Sequence, residues 1–431
     1  MNKKMIAVVG GGLAGLTAAY TLLKEGHVDV HVFEEKSFVG GRVQSREIRG
    51  RTIDFGGFLI YPWYTESHKL FGEIDIEKLL VKTPLSDIFY FLGNDDGAQK
   101  EDDITFPLGE GVALWAKSLL KILPTPDLAR PDLELFERKT ISEYLRSTIG
   151  DENHASVYES FFDTVGQGYC YGPVDQVKAA FMAPIVRQIT FHGDVESTSF
   201  FPEGCGTIAD CLVEKIVALG GHIHVNTPIT GIDGLTLRSG DQKFWADAVI
   251  FAQTVSKDLY EQILPGVDTE CWYTHFVTVA VELLETPVVG GTQDWGAAFY
   301  APNVALLEQA VSMINTESLY GPPLHSCVIL NILLRNRGSE IFDDAELQSL
   351  VHRELHRLSL DVQNEKILSH IHWTQTMPVA QEAFVQSVRD AHGKNGLYFA
   401  GDFLGAPSIE TAIASGRKAA EDVLRDSEKF S

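Results

Sequence analysis

Gly10, Gly12 and Gly15 stand in the string Gly10-Gly11-Gly12-Leu13-Ala14-Gly15, directly after the apolar run Met5 to Val9. That spacing can cradle a pyrophosphate. Gly10 permits a tight turn off a strand, Gly12 lets backbone approach the phosphates, and Gly15 lets the next helix pack close to a sheet. At the start of that helix, the amides of Leu13 and Ala14 would face the bound anion. Glu34 lies 19 residues past Gly15, with Glu35 beside it, at the end of a second apolar run from Val28 to Phe33. A carboxylate there can accept from a ribose 2′-hydroxyl and would repel a 2′-phosphate. Eight residues on, Gly40-Gly41-Arg42 joins two permissive glycines to a guanidinium able to pair with a phosphate. Asp54-Phe55-Gly56-Gly57-Phe58 repeats the paired glycines. Near the other end, Tyr398-Phe399-Ala400-Gly401-Asp402 runs into Ser408-Ile409-Glu410-Thr411-Ala412-Ile413, a strand, a turn and a helix start. Asp402 can accept from a sugar-chain hydroxyl or cap the helix.

The elements that must hold these groups are spread along the chain. A strand, the amphipathic helix Leu16 to Lys24 and a second strand open it. Short apolar runs at His222–Asn226, Ala246–Ala252 and Leu397–Ala400 read as further strands of one buried sheet. Two long insertions separate them. The first reads as helical at 114–122, at Ile141–Ser147 after a Thr140 N-cap, and at 154–165. The second mixes strands at Phe276–Leu283 and Cys327–Leu334 with an amphipathic helix at 345–358. The expected architecture is α/β: a Rossmann-like, doubly wound, mostly parallel sheet from residues 1–75, 201–255 and 386–431. An interleaved mixed α+β substrate domain comes from 76–200 and 256–385.

At 431 residues the chain is long enough for two or three domains. A formal charge of −24 leaves no cationic surplus to displace counterions from nucleic acid and opposes docking on anionic lipid. Five scattered cysteines without a C-x-x-C pair fit a reduced interior, and no stretch approaches 18 apolar residues. The expected location is cytoplasmic, with peripheral membrane contact left open.

Together these motifs resemble the superfamily of FAD-dependent amine oxidases and phytoene desaturases, which also holds protoporphyrinogen oxidase and hydroxysqualene dehydroxylase. The resemblance is strong at both ends and weak in the middle. It implies FAD as resident cofactor, with Gly10, Gly12, Gly15 and Glu34 on its ADP half and Gly40, Gly41 and Arg42 near pyrophosphate and flavin. The segment Phe201 to Thr207 is similar to the family's P-x-G-G turn. Val225 to Ile229 would bring the Ile229 backbone to the adenine. Gly401 and Asp402 would meet the ribitol chain, and Thr411, Ala412 and Ile413 the flavin pyrimidine. Amine oxidases of this kind carry a lysine near flavin N5, and the matching strand, Trp272 to Val279, has none. The turn at Asp54–Gly57 followed by Tyr61-Pro62-Trp63-Tyr64, and Gly401-Asp402 followed by Ser408 to Ala412, look more like plant-type phytoene desaturases and hydroxysqualene dehydroxylases. Thr411 in place of a glycine and Gln253-Thr254 in place of a small residue and proline depart from the pattern.

The expectation is an FAD-dependent oxidoreductase that takes a hydride from an apolar, isoprenoid-like small molecule. Oxygen or a quinone would accept the electrons, since no second dinucleotide fingerprint is present. An amine oxidase releasing imine and peroxide is the alternative, and a flavin-bound scaffold without turnover a third. Tyr61, Trp63 and Trp373 are candidate substrate contacts; core packing under the flavin explains the same aromatic loop. Residues 114–123 read as a roof over the substrate domain or as a bilayer-resting helix. His352 and His356, four apart, lie off the apolar stripe of their helix and read as solvated rather than metal-binding. His192, His275 and His372 read as polar packing groups or general bases. Cys170 and Cys205 have no histidine that sequence can place beside them.

Overall fold

The structure, a computed structural model, describes residues 3–84, 88–91, 99–100, 128–134, 138–150, 152–169, 172–182, 184, 198–267, 271–289, 291–300, 310–324, 326–334, 341–357 and 365–428. The helix expected at 114–122, His192 and Cys170 lie outside them.

Two sheets organise this mixed α/β molecule. The first has five parallel strands in the order Leu397–Phe399, Ala248–Phe251, Lys4–Val9, Val28–Phe33, His222–His224. Ile6, Ala7, Val8 and Val9 are buried on both sides of it, as a parallel sheet with two covered faces requires. Helices Leu13–Glu25, Gly206–Ala218 and Ile409–Glu428 cover one face through Leu16, Leu212 and Ile413. The other face meets Leu237 of a small antiparallel meander (Gly231–Asp233, Thr236–Ser239, Gln242–Trp245) and Tyr260 and Phe384. The strand expected to reach Asn226 stops at His224, because Asn226 turns left-handed (φ 53°) and donates its N–H to Lys36.

The second sheet has seven strands in the order Lys366–Trp373, Phe276–Glu282, Cys327–Leu333, Ala310–Asn315, Ala297–Tyr300, Ile88–Phe91, Gln99–Lys100. Its pairings are antiparallel except for the parallel one between Ala297–Tyr300 and Ile88–Phe91. One face packs on helix Asp344–Arg357 through Leu347, Leu350, Val351 and Leu355. The other presents Phe276, Ala297, Ile314 and Trp373 to Phe55 of the nucleotide side.

The strand read across 272–279 is two. Cys271–Tyr273 pairs with Pro378–Ala380, and Phe276–Glu282 enters the large sheet. Thr274 lies between them, bonded both ways to the Thr376–Met377 turn. Thr140 forms a full capping box with Glu143, and the helix runs to Ile149, where left-handed Gly150 ends it. His352 is exposed and pairs with Glu365 at 2.9 Å. Among the described residues, Cys205, Cys211, Cys271 and Cys327 are free thiols, and no helix is long and apolar enough to cross a membrane.

Candidate active site

A cavity of about 620 Å³ lies between the ends of the parallel strands and the inner face of the large sheet. Its nucleotide side is made of backbone. Gly10 sits at φ 111°, and a Cβ there would fall 2.6 Å from the Ala252 carbonyl oxygen; at Gly15 it would fall 1.9 Å from that of Gly10. Gly15 is thus a packing position behind the wall, while Gly10, Gly12, Leu13 and Ala14 form the wall itself. Gly12 caps the helix without a side-chain acceptor, leaving the first-turn amides at the cavity in want of one. Opposite, Gly40 (φ 102°) donates its N–H to Gly11 at 2.8 Å. A Cβ on Gly12 would meet nothing nearer than the Gly41 Cα at 3.9 Å. Two glycine loops are therefore bridged backbone to backbone, and both line the cavity without side chains that would obstruct a pyrophosphate.

Glu34 is buried. Its Oε2 accepts from Gly11 N at 2.7 Å and its Oε1 from Lys36 N at 2.9 Å, and each oxygen keeps a second lone pair for a ribose hydroxyl. Glu35, Lys36 and Ile229 line the same end.

Arg42 has a partner other than the phosphate its motif suggests. Its Nη2 donates to Asp402 Oδ1 at 2.6 Å and its Nη1 to the Thr376 carbonyl, joining segments 360 residues apart. Gly56 is forced by this contact region, since a Cβ would lie 1.8 Å from the Arg42 carbonyl oxygen, whereas Gly57 is open to 3.6 Å. Gly41, Gly56, Gly57, Phe58, Gly401, Asp402 and Ala412 line the cavity. Thr411 and Ile413 do not reach the lining: Thr411 donates its hydroxyl to the Ala406 carbonyl, and Ile413 is fully buried in the helical core.

The substrate side is made of side chains. Tyr61, Tyr64, Tyr169, Met182, Phe276 and Trp373 contribute to it. Trp63 does not; it stacks behind Tyr61 with ring centroids 4.8 Å apart. Across three neighbouring strands the register sets Thr278 opposite Asn331 and Asn331 opposite Ser312. Trp373 Nε1 donates to Thr278 Oγ1 at 3.0 Å, Thr278 Oγ1 lies 2.8 Å from Asn331 Oδ1, and Asn331 Nδ2 donates to Ser312 Oγ at 3.2 Å. Asn331 and Ser312 open onto the cavity. Asn331 stands alone in the apolar Cys327–Leu333, and Ser312 stands between Val311 and Met313; that was the available sequence signal, because a buried polar group demands a partner. Burial holds His275 and His372 below the ordinary histidine range, so both are neutral at pH 7. His372 lines the cavity and His275 does not.

Sequence reading also missed Asp54 and Glu410. Asp54 Oδ1 accepts from Ser45 Oγ at 2.7 Å and Cys205 N at 2.8 Å, and Oδ2 accepts from Tyr320 at 3.3 Å. Burial nevertheless pushes its carboxyl up to about 6. With Ser45 it caps the helix that begins at Gly206 from another element altogether. Glu410 does the same for helix Thr65–Glu73, accepting from Glu66 N and Ser67 N at 2.8 and 2.9 Å.

Relatives in sequence and structure agree with this geometry. The chain is 28% identical over 207 residues to the zeta-carotene desaturase of Arabidopsis thaliana, covering 42% of this chain and 36% of that one. It thus spans about a third of the length of the curated desaturases it matches. A fatty acid isomerase from P. acnes superposes with TM-score 0.74 at 15% identity, covering 96% and 97% of the two chains. Cyclohexylamine oxidase from Brevibacterium oxydans does so at 0.69 and 17%, covering 99% and 100%. Such low identities speak to the fold alone. The family model of flavin containing amine oxidoreductases matches residues 13–424, nearly the whole chain. The chain therefore belongs to the flavin containing amine oxidoreductases, and FAD is its cofactor.

Proposed function

We propose that the protein is an FAD-dependent oxidoreductase that withdraws a hydride from an apolar, isoprenoid-like substrate. One observation carries this reading: among the described residues, the cavity lining supplied by the large sheet, Phe276, Ala297, Ser312, Ile314, Asn331, His372 and Trp373, has no carboxylate, and burial keeps His372 neutral. An ammonium substrate would lose its hydration there without a countercharge. An alkene chain loses nothing and gains apolar contact.

In this assignment Gly10, Gly12, Leu13 and Ala14 hold the pyrophosphate, Glu34 and Glu35 the adenosine ribose, and Ile229 the adenine. Gly41, Arg42, Gly56, Gly57 and Phe58 flank the flavin, with Gly401 and Asp402 on the ribitol. Ala412 touches the ring system, and Thr411 and Ile413 support it from behind. The same proposal divides the chain into a nucleotide unit (1–75, 201–255, 386–431) and a substrate unit (76–200, 256–385), which the two sheets support. When bound, FAD supplies the hydride acceptor and passes the electrons to oxygen or a quinone. The chain's own part is positional: Tyr61, Tyr64 and Trp373 exclude water, and Asn331 and Ser312 orient one polar atom of the substrate. Contact with a membrane surface would deliver such a substrate and is part of the proposal.

The test is anaerobic. Polyprenoid lipids and aliphatic amines are added separately to the yellow protein, and flavin bleaching is followed. Bleaching by lipids alone is expected. Bleaching by amines with indifference to lipids would replace this reading by an amine oxidase.

A further inference from the structure

Away from the cavity, the outer edge of the parallel sheet carries a cluster that flavin chemistry does not use. The in-register strands Val28–Phe33 and His222–His224 place Asp29, His31, His222 and His224 on one sheet face, because side chains two apart share a face and His31 pairs with His222. His31 Nε2 lies 3.4 Å from Asp29 Oδ2, and His222 Nε2 lies 3.7 Å from Asp29 Oδ1. The two rings stack with centroids 4.5 Å apart. One ligand atom from each of Asp29, His31 and His222 falls within 4.8 Å of the others, the only such trio among the described residues. Bonds of about 2.0–2.2 Å in tetrahedral geometry set donor atoms about 3.3–3.6 Å apart, so a small inward movement of His222 closes the set.

We propose that Asp29, His31 and His222 form a binding site for a borderline divalent metal ion, Zn²⁺ being the type case. Two imidazoles and one carboxylate are the donor set such ions prefer, and the fourth position opens to water. The surroundings are built for it. His31 Nδ1 lies 2.9 Å from His224 Nε2. A hydrogen bond between two imidazole nitrogens needs at least one neutral ring. With His31 donating from Nδ1, its Nε2 lone pair is turned toward Asp29. His224 is itself held flat against Phe33, centroids 4.9 Å apart. The His222 and Asp29 side chains are 54% and 39% exposed, which gives an ion a path in. Bound there, the ion would clip the edge strand His222–His224 to its neighbour. That strand also anchors the adenosine wall, through the Glu34 N–H bond to the His224 carbonyl.

Untagged, chelator-treated holoprotein is titrated with ZnCl₂ by calorimetry, and thermal midpoints are read with and without zinc. One ion per chain and a higher midpoint are expected, since a ligand of the native state stabilises it. Asp29→Asn, His31→Gln and His222→Ala should each weaken binding at least tenfold and abolish the midpoint shift. His224→Phe should weaken it tenfold to a hundredfold at unchanged stoichiometry, as loss of an orienting partner does. His352→Ala should bind as the wild type. If His222→Ala unfolds without metal, the isosteric Asp29→Asn decides. No bound zinc, or equal binding by wild type and Asp29→Asn, overturns the site.

Discussion

The two walls of the cavity are made of different material. The nucleotide wall is backbone: glycines at 10, 12, 41, 56, 57 and 401, with side chains such as Glu34 and Asp402 bonded to it or across it. The substrate wall is side chain: aromatic rings and a row of single polar groups on neighbouring strands. A backbone wall tolerates added atoms at few of its positions and binds whatever shares its shape. A side-chain wall can be rewritten one residue at a time while its sheet stands, which is how one fold hosts many substrates.

The sharpest way to break this contrast is to add atoms to the backbone wall. Gly56→Val places carbon where the Arg42 carbonyl stands, and Gly10→Val does so against the Ala252 carbonyl. Either should lower FAD affinity at least a hundredfold, read as loss of the flavin absorbance ratio on gel filtration. An equally large loss of FAD from a substrate-wall change would erase the distinction.

Trp373→Ala is that comparison. Emptying a nearly buried indole costs about 3–5 kcal/mol of stability, measurable by denaturant unfolding. The FAD that remains in folded protein should bind within about threefold of wild type, while bleaching by substrate is lost. Asn331→Leu takes the donor from the buried Ser312 hydroxyl and should cost about 1–3 kcal/mol, while altering which lipids bleach the flavin.

Asp54 joins the two walls through Tyr320, and its effect depends on pH. Burial raises its carboxyl from 3.8 to about 6, so folding favours the protonated form. Its contribution is full below pH 3.8 and is lost as pH rises through about 6, some 2 units or about 3 kcal/mol in all. Asp54→Asn lacks that loss. Its stability should gain on the wild type between pH 4 and 7, and a pH-independent difference would refute the linkage. The smallest effect is expected at Gly57→Ala, where the nearest atom to a Cβ is 3.6 Å away. Near-wild-type FAD binding there would show that the penalty at Gly56 is steric rather than general to paired glycines.

The contrast also explains what could be read in advance. The nucleotide strands, the Gly10–Gly15 turn and the Thr140 cap are local patterns whose causes lie within a few residues. Asp54 and Glu410 accept from helix-start amides at Cys205, 151 residues later, and at Ser67, 343 residues earlier, and no local window contains both partners. Arg42 was legible as a ligand-facing arginine but its pairing with Asp402 was not, for the same reason. The strand around 272–279 reads as continuous because Thr274 and His275 fit a strand by type; only the Met377 turn beside them interrupts it.

The ion pair between Arg42 and Asp402 has a consequence for biosynthesis. Closing a loop of 360 residues costs about 3 kcal/mol more chain entropy than closing one of ten, at about 0.6 kcal/mol per doubling. The strand that leads to Asp402, Leu397–Phe399, also pairs at the edge of the sheet, beside Ala248–Phe251. Until the segment around residue 400 is made, the Gly10 turn has four of the five parallel strands but neither Gly401 nor Asp402. The early glycine turn is therefore half a site until translation has passed the late one.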